Sequence, residues 1–238
     1  MDEKRLAIVV GAGPGLGASL AHRFARASMN VVMACRHPAR IDTLAAEFSG
    51  IGHGVCSRAC DACDETSVQA LFEWSEERFG PPDVVVYNAG AFVQRSLLDT
   101  TAGEFEHCWR TGCLGGFLVG REAARSMLQR GEGGVILFTG ATASLRGGAQ
   151  FHNLAVGKFG LRALAQSMAR ELGPQGIHVA HVVIDGRIRA PAVVEQGNDD
   201  GARLLDPDEV AEAYYQLAMQ PRSAWTQELD LRPWVERF

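Results

Sequence analysis

The chain has 238 residues, 47% of them hydrophobic and 21% charged, an ordinary globular balance with enough apolar material for one large core. Its formal net charge of −5 argues against nucleic acid or an anionic membrane surface as the main partner. Charged residues precede a short apolar run at the N-terminus, and no apolar stretch approaches the ~20 residues of a membrane span. The six cysteines therefore read as reduced thiols of a cytoplasmic protein.

In chain order, the run "LAIVV" (6–10) predicts a strand that ends in the glycine-rich turn "GAGPGLG" and passes into a helix. A second strand, "VVMAC" (31–35), ends at Cys35-Arg36, and Ile41, Leu44, Ala45 and Phe48 then mark a helix by their i, i+3, i+4, i+7 spacing. A third strand falls within "HGVCSRACDAC" (53–63), followed by a helix carrying Val68, Leu71, Phe72 and Phe79. Next come "DVVVY" (83–87), a long helix over 104–129, "GVILFT" (134–139) and a helix over 153–172 with Leu161, Leu164, Ala165 and Met168 on one stripe. "HVAHVVI" (178–184) and "QELDL" (227–231) are the last strands, separated by a polar, glycine-rich loop at 195–205 and a helix. That helix begins at "DPDEV", where Asp206 caps, Pro207 takes the first position and Glu209 reaches back as in a capping box. Non-alternating Val/Ile strands are those of a parallel sheet buried on both faces. The expected fold is a single α/β domain over 1–238, a doubly wound Rossmann-type parallel sheet of about seven strands with helices on both faces.

The first turn has chemistry as well as shape. Its glycines follow G-x-x-x-G-x-G (Gly11, Gly15, Gly17), with Gly13 and Leu16 between them, rather than G-x-G-x-x-G. Glycine lets the chain turn sharply and bring backbone N–H groups against a pyrophosphate at a helix N-terminus. The end of the second strand is where such folds read the adenosine ribose. A carboxylate there binds a 2′-hydroxyl, whereas an arginine accommodates a 2′-phosphate. Arg36, beside Cys35, predicts NADP(H) in preference to NAD(H).

With this glycine spacing, "CDACDETSVQALF" (60–72), "YNAG" (87–90), Lys158 and "IDGRI" (184–188), the sequence resembles the short-chain dehydrogenase/reductase family over nearly its whole length. The resemblance implies that Asp61, with Ala62 beside it, contacts the adenine. It implies that Asn88, Ala89 and Gly90 line the cofactor, and that Gly186 and Ile188 lie at the nicotinamide end. Lys158 is then the lysine that binds the nicotinamide ribose. Val10 replaces the family's usual threonine before the first glycine, and Asp185 its usual proline before Gly186; backbone groups hold the phosphates, so neither change abolishes binding.

Three other positions depart from the family's pattern. Four residues before Lys158, where the family has the proton-transferring tyrosine, stands Leu154. Ala141 stands at the serine position, after Gly140, and Gly112 at that of the asparagine on the long helix. The nearest candidate for a substitute acid is His152, a histidine placed in a loop, because imidazole is the side chain that exchanges protons near neutral pH; Thr142 follows Ala141, and Asp185 is expected to face the nicotinamide end. His53, Cys56, Cys60 and Cys63 could ligate zinc, but they coincide with the third strand and adenine pocket, so no metal is expected. The expected function is an NADP(H)-dependent oxidoreductase acting on a small-molecule carbonyl/alcohol pair through an atypical or degenerate catalytic site. The alternative is a catalytically weak NADP(H)-binding pseudoenzyme serving as sensor or partner. Members of the family pair through the long helices, so a homodimer or homotetramer is expected.

Overall fold

The computed structural model describes residues 5–51, 54–190 and 202–236. Seven strands form one sheet: β1 (Leu6–Val10), β2 (Asn30–Cys35), β3 (Gly54–Ala59), β4 (Val84–Tyr87), β5 (Gly134–Thr139), β6 (Ile177–Ile184) and β9 (Glu228–Leu231), in the order β3-β2-β1-β4-β5-β6-β9. All six pairings are parallel. A second, two-stranded sheet joins β7 (Arg187–Ile188) to β8 (Leu204–Leu205). The helices are α1 (Leu16–Arg26), α2 (Asp42–Phe48), α3 (Glu65–Phe79), α4 (Ala102–Trp109), α5 (Gly115–Arg130), α6 (His152–Leu172) and α7 (Pro207–Ala218).

Alternate residues of β1 go to opposite cores. Ala7 and Val9 pack with Leu20 and Phe24 of α1 and Tyr214 of α7; Leu6, Ile8 and Val10 pack with Leu71 of α3, Val119 of α5 and Leu161 of α6. Covering both faces explains why these strands read as continuous apolar runs. The order reverses between β1 and β4, which opens a crevice at their C-terminal ends, where such sheets bind ligands.

Four expectations require adjustment. The helix expected over 104–129 spans 102–130 but is interrupted by one π-turn at Arg110–Leu114. There the Cα of Gly112 abuts Gly157 of α6, and the Tyr87 hydroxyl donates to the Thr111 carbonyl at 2.5 Å. His152 opens α6 rather than sitting in a loop. Asp206 does cap α7, accepting from the N–H of Asp208 at 2.9 Å, but Glu209 closes no capping box. Of the loop expected at 195–205, residues 195–201 lie outside the described residues, and its end is a turn leading into β8.

Candidate active site

Gly11 follows β1 with φ +88°, and a Cβ there would lie 2.3 Å from the N of Ala89, at the end of β4. No side chain fits, so two strand ends approach backbone to backbone. Asn88 fastens them by donating from Nδ2 to the Gly11 carbonyl at 3.1 Å. A Cβ at Gly17 would lie 2.8 Å from the Cα of Ala12, which explains the third glycine as close packing of helix on turn. Gly15 has φ +123°, and Leu16 buries its side chain in the core as the first residue of α1, leaving only its backbone to a ligand.

Beside this turn lies a cleft of about 500 Å³. Of the residues expected to meet a cofactor, Gly11, Arg36, Asp61, Ala62, Asn88, Ala89 and Gly90 line it, while Gly13, Gly15, Leu16 and Gly17 do not. Asp61 is held by a hydrogen bond to its Oδ1 from the N–H of Cys63 at 2.9 Å. Arg36 is exposed, with no hydrogen-bond or ion-pair partner among the described residues. Sequence reasoning missed His107, Arg110 and Thr111, which the helix before and through the π-turn brings to the same wall. Arg110 donates from Nη2 to the Cys63 carbonyl at 3.0 Å. No local motif marks these residues; only the packing of α4 and the π-turn against α6 does.

The cysteines considered as metal ligands have separate protein partners. Cys56 donates to the Val31 carbonyl, Cys60 to the Ser67 carbonyl and Cys63 to Thr111 Oγ1. Burial raises all three thiol pKa values, that of Cys60 to about 11. His53 lies outside the described residues, among which no three His, Cys, Asp or Glu side chains form a group that could hold a metal ion.

A second, larger cleft of about 1350 Å³ opens beyond the ends of β5 and β6, and both Leu154 and Ala141 line it. Thr142, on the same wall, donates from Oγ1 to Asp185 Oδ1, and Arg232 lies 3.6 Å from the other carboxylate oxygen. Gly186 also lines this cleft, whereas Ile188 packs against the hydrophobic core. Lys158 is buried and donates from Nζ to the Thr139 carbonyl at 2.6 Å, and desolvation pushes its pKa down to about 8. His152 is not among the residues lining either cleft. Because the Thr100 hydroxyl donates to Ser96, the His152 Nε2–H donates to Thr100 Oγ1 at 2.9 Å.

One buried histidine accounts for the glycine at position 140. His181, in β6, is fully buried; its Nδ1–H donates to Glu228 at 3.2 Å, and Arg162 grips that carboxylate with two hydrogen bonds of 2.6 and 2.7 Å. Burial, the largest effect, drives the His181 pKa down to about 4, so the ring is neutral at pH 7. A Cβ at residue 140 would lie 2.3 Å from its Nε2, so the imidazole occupies the space that any side chain there would need.

A doubly wound parallel sheet with a glycine-rich turn at the β1–β4 crevice defines a dinucleotide-binding protein of the Rossmann type. Residues 5–201 match the family model described as short chain dehydrogenase. The chain belongs to the short-chain dehydrogenase/reductase family. It is 41% identical to a short-chain dehydrogenase of Rhodopseudomonas palustris, with a TM-score of 0.83 over 97% of this chain and 99% of that one. An alcohol dehydrogenase of Thermococcus sibiricus, solved in complex with 5-hydroxy-NADP, is 26% identical with a TM-score of 0.87, covering 99% of each chain. A farnesol dehydrogenase of Aedes aegypti is 28% identical over 98% of both chains.

Proposed function

We propose that this protein is an NADP(H)-dependent oxidoreductase of carbonyl/alcohol pairs with an atypical proton-transfer site. The observation that carries the reading is the glycine cradle at Gly11 and Gly17, where no Cβ fits, opening onto the cleft that holds Arg36 and Asp61. Backbone N–H groups at the start of α1 would hold the pyrophosphate, Asp61 the adenine and Arg36 the 2′-phosphate, with Lys158 toward the nicotinamide ribose. When bound, the nicotinamide supplies or accepts the hydride.

The chain's own residues then have limited tasks. Leu154 can neither give nor take a proton, and Ala141 offers no hydroxyl. Thr142 uses its proton on Asp185 and so turns oxygen lone pairs, not a hydrogen, toward the cleft. Lys158, buried and held by the Thr139 carbonyl, has its pKa brought down by desolvation to about 8. Positioning a carbonyl carbon and holding its oxygen therefore supply what rate there is.

The test has two parts. Isothermal titration should show tighter binding of NADPH than of NADH, with Arg36→Asp reversing the order. NADPH oxidation with a ketone panel should be slow but measurable. Equal affinities for the two cofactors would remove the NADP assignment. Binding without any turnover would favour the second reading, a cofactor-binding pseudoenzyme, which the apolar Leu154 and Ala141 in the cleft support.

A further inference from the structure

Three arginines from separate segments line the larger cleft: Arg146 after β5, Arg187 in β7 and Arg203 before β8. Glu236 is the one carboxylate among its described lining residues. Arg146 and Arg187 are exposed, and their side chains form no hydrogen bond or ion pair among the described residues. In a protein with an overall charge of −5, this is a local reversal of sign. It lies at the mouth of the cleft that holds Ala141 and Leu154.

The opposite character occupies another wall. Phe92 and Phe151 stack with centroids 5.3 Å apart and planes 24° from parallel, and Phe92 is 51% exposed to the cleft and solvent. An aromatic face of this kind, left open beside Leu154 and Ile184, suits the apolar body of a ligand. Guanidinium groups suit an anionic end, because their planar donors match carboxylate and phosphate oxygens in pairs.

We infer that the cleft selects carbonyl substrates with an apolar, preferably aromatic body and a terminal anionic group, which docks between Arg146 and Arg187. This rests on the proposed oxidoreductase reading for the identity of the reacting group, but the anion preference itself is a property of the cleft. Positively charged side chains at a concave mouth also raise the local concentration of an anion, an effect that falls with added salt.

The experiment compares 2-oxo-4-phenylbutanoate with its methyl ester, by titration into cofactor-free protein and into protein saturated with NADP+, where no reduction occurs. The acid should bind about ten-fold or more tightly than the ester, and the gap should shrink as salt rises from low to roughly physiological strength. Arg146→Ala and Arg187→Ala should each remove most of the gap while leaving NADPH affinity unchanged. A phosphonate analogue in parallel shows whether carboxylate or phosphate geometry is preferred. Equal affinities for acid and ester, in both forms of the protein, would overturn the inference. So would arginine variants that lose NADPH affinity instead, since the arginines would then belong to the cofactor. Failure of the native protein to bind NADPH would instead count against the proposed function, and the cofactor-free comparison would still decide the anion preference.

Discussion

Replacing Gly140 by alanine adds a single Cβ, and the geometry sets what that atom meets: His181 Nε2 at 2.3 Å, His181 Cε1 at 2.4 Å and Ser144 Oγ at 2.9 Å. Ordinary carbon contacts lie near 3.5–4.0 Å, so the ring or the end of β5 must move by about 1 Å. The ring has little room to comply, because Glu228 holds its Nδ1–H and Arg162 holds Glu228. Gly140 does not have the positive φ that would strain alanine, so in open space the substitution would stabilise by about 0.4–1 kcal/mol through the unfolded chain. Overpacking, with distortion of one hydrogen bond, reverses the sign to a loss of about 2–4 kcal/mol. For a chain of this size that is a fall in Tm of roughly 5–15 °C, measurable by circular dichroism or calorimetry. In a His181→Ala background the same change should cost almost nothing, and the double-mutant cycle should return a coupling of about 2–4 kcal/mol. A single Gly140→Ala variant that melts at or above the native temperature would refute the close approach, and with it the account of why no side chain stands at this position.

Leu154→Tyr alone should recover little carbonyl reduction, and Leu154→Tyr with Ala141→Ser should recover more than the two changes sum to, as followed by NADPH oxidation. Adding Gly112→Asn should lower Tm rather than complete the site, because a Cβ at residue 112 would lie 3.0 Å from the Cα of Gly157. Lys158 gives a stability test with a definite sign. Its folded pKa, about 8, lies below the unfolded value near 10.4, so between those values the unfolded chain binds more protons and stability rises with pH. Relative to Lys158→Met, the native protein should gain about 3 kcal/mol across that window in denaturant titrations; parallel curves would show that Lys158 is not desolvated. Phe105, Trp109 and Phe117, from α4 and α5, and Val156 and Phe159, from α6, each remain more than a third exposed, so light scattering should report a dimer or tetramer. Phe159→Asp should shift that assembly toward monomer, and a native protein of monomer mass at micromolar concentration would contradict the pairing.

The sequence by itself determined the features that depend on near neighbours along the chain. The Val/Ile runs of β1, β2, β4, β5 and β6 announced a sheet covered on both faces. The glycines at 11, 15 and 17 announced a sharp turn into a helix, since local backbone freedom is what glycine provides. The register of Lys158, Leu154 and Ala141 could be counted, and the structure places the last two on one cleft wall. What required the tertiary structure depends on segments distant in sequence. Asp206 was legible as a cap because its partner is two residues away, whereas the π-turn follows from Gly112 meeting Gly157 and Tyr87 reaching Thr111. His152 looked like a free loop imidazole until the fold placed Thr100 against it. The pairing of His181 with Gly140 exists only because β5 and β6 lie parallel with Phe138 opposite His181. The arginines at 146, 187 and 203 line one cleft because the β7–β8 pairing and the turn after β5 both border it. A side chain's chemistry is carried in its own residue, but its environment is set by whatever the rest of the chain packs against it.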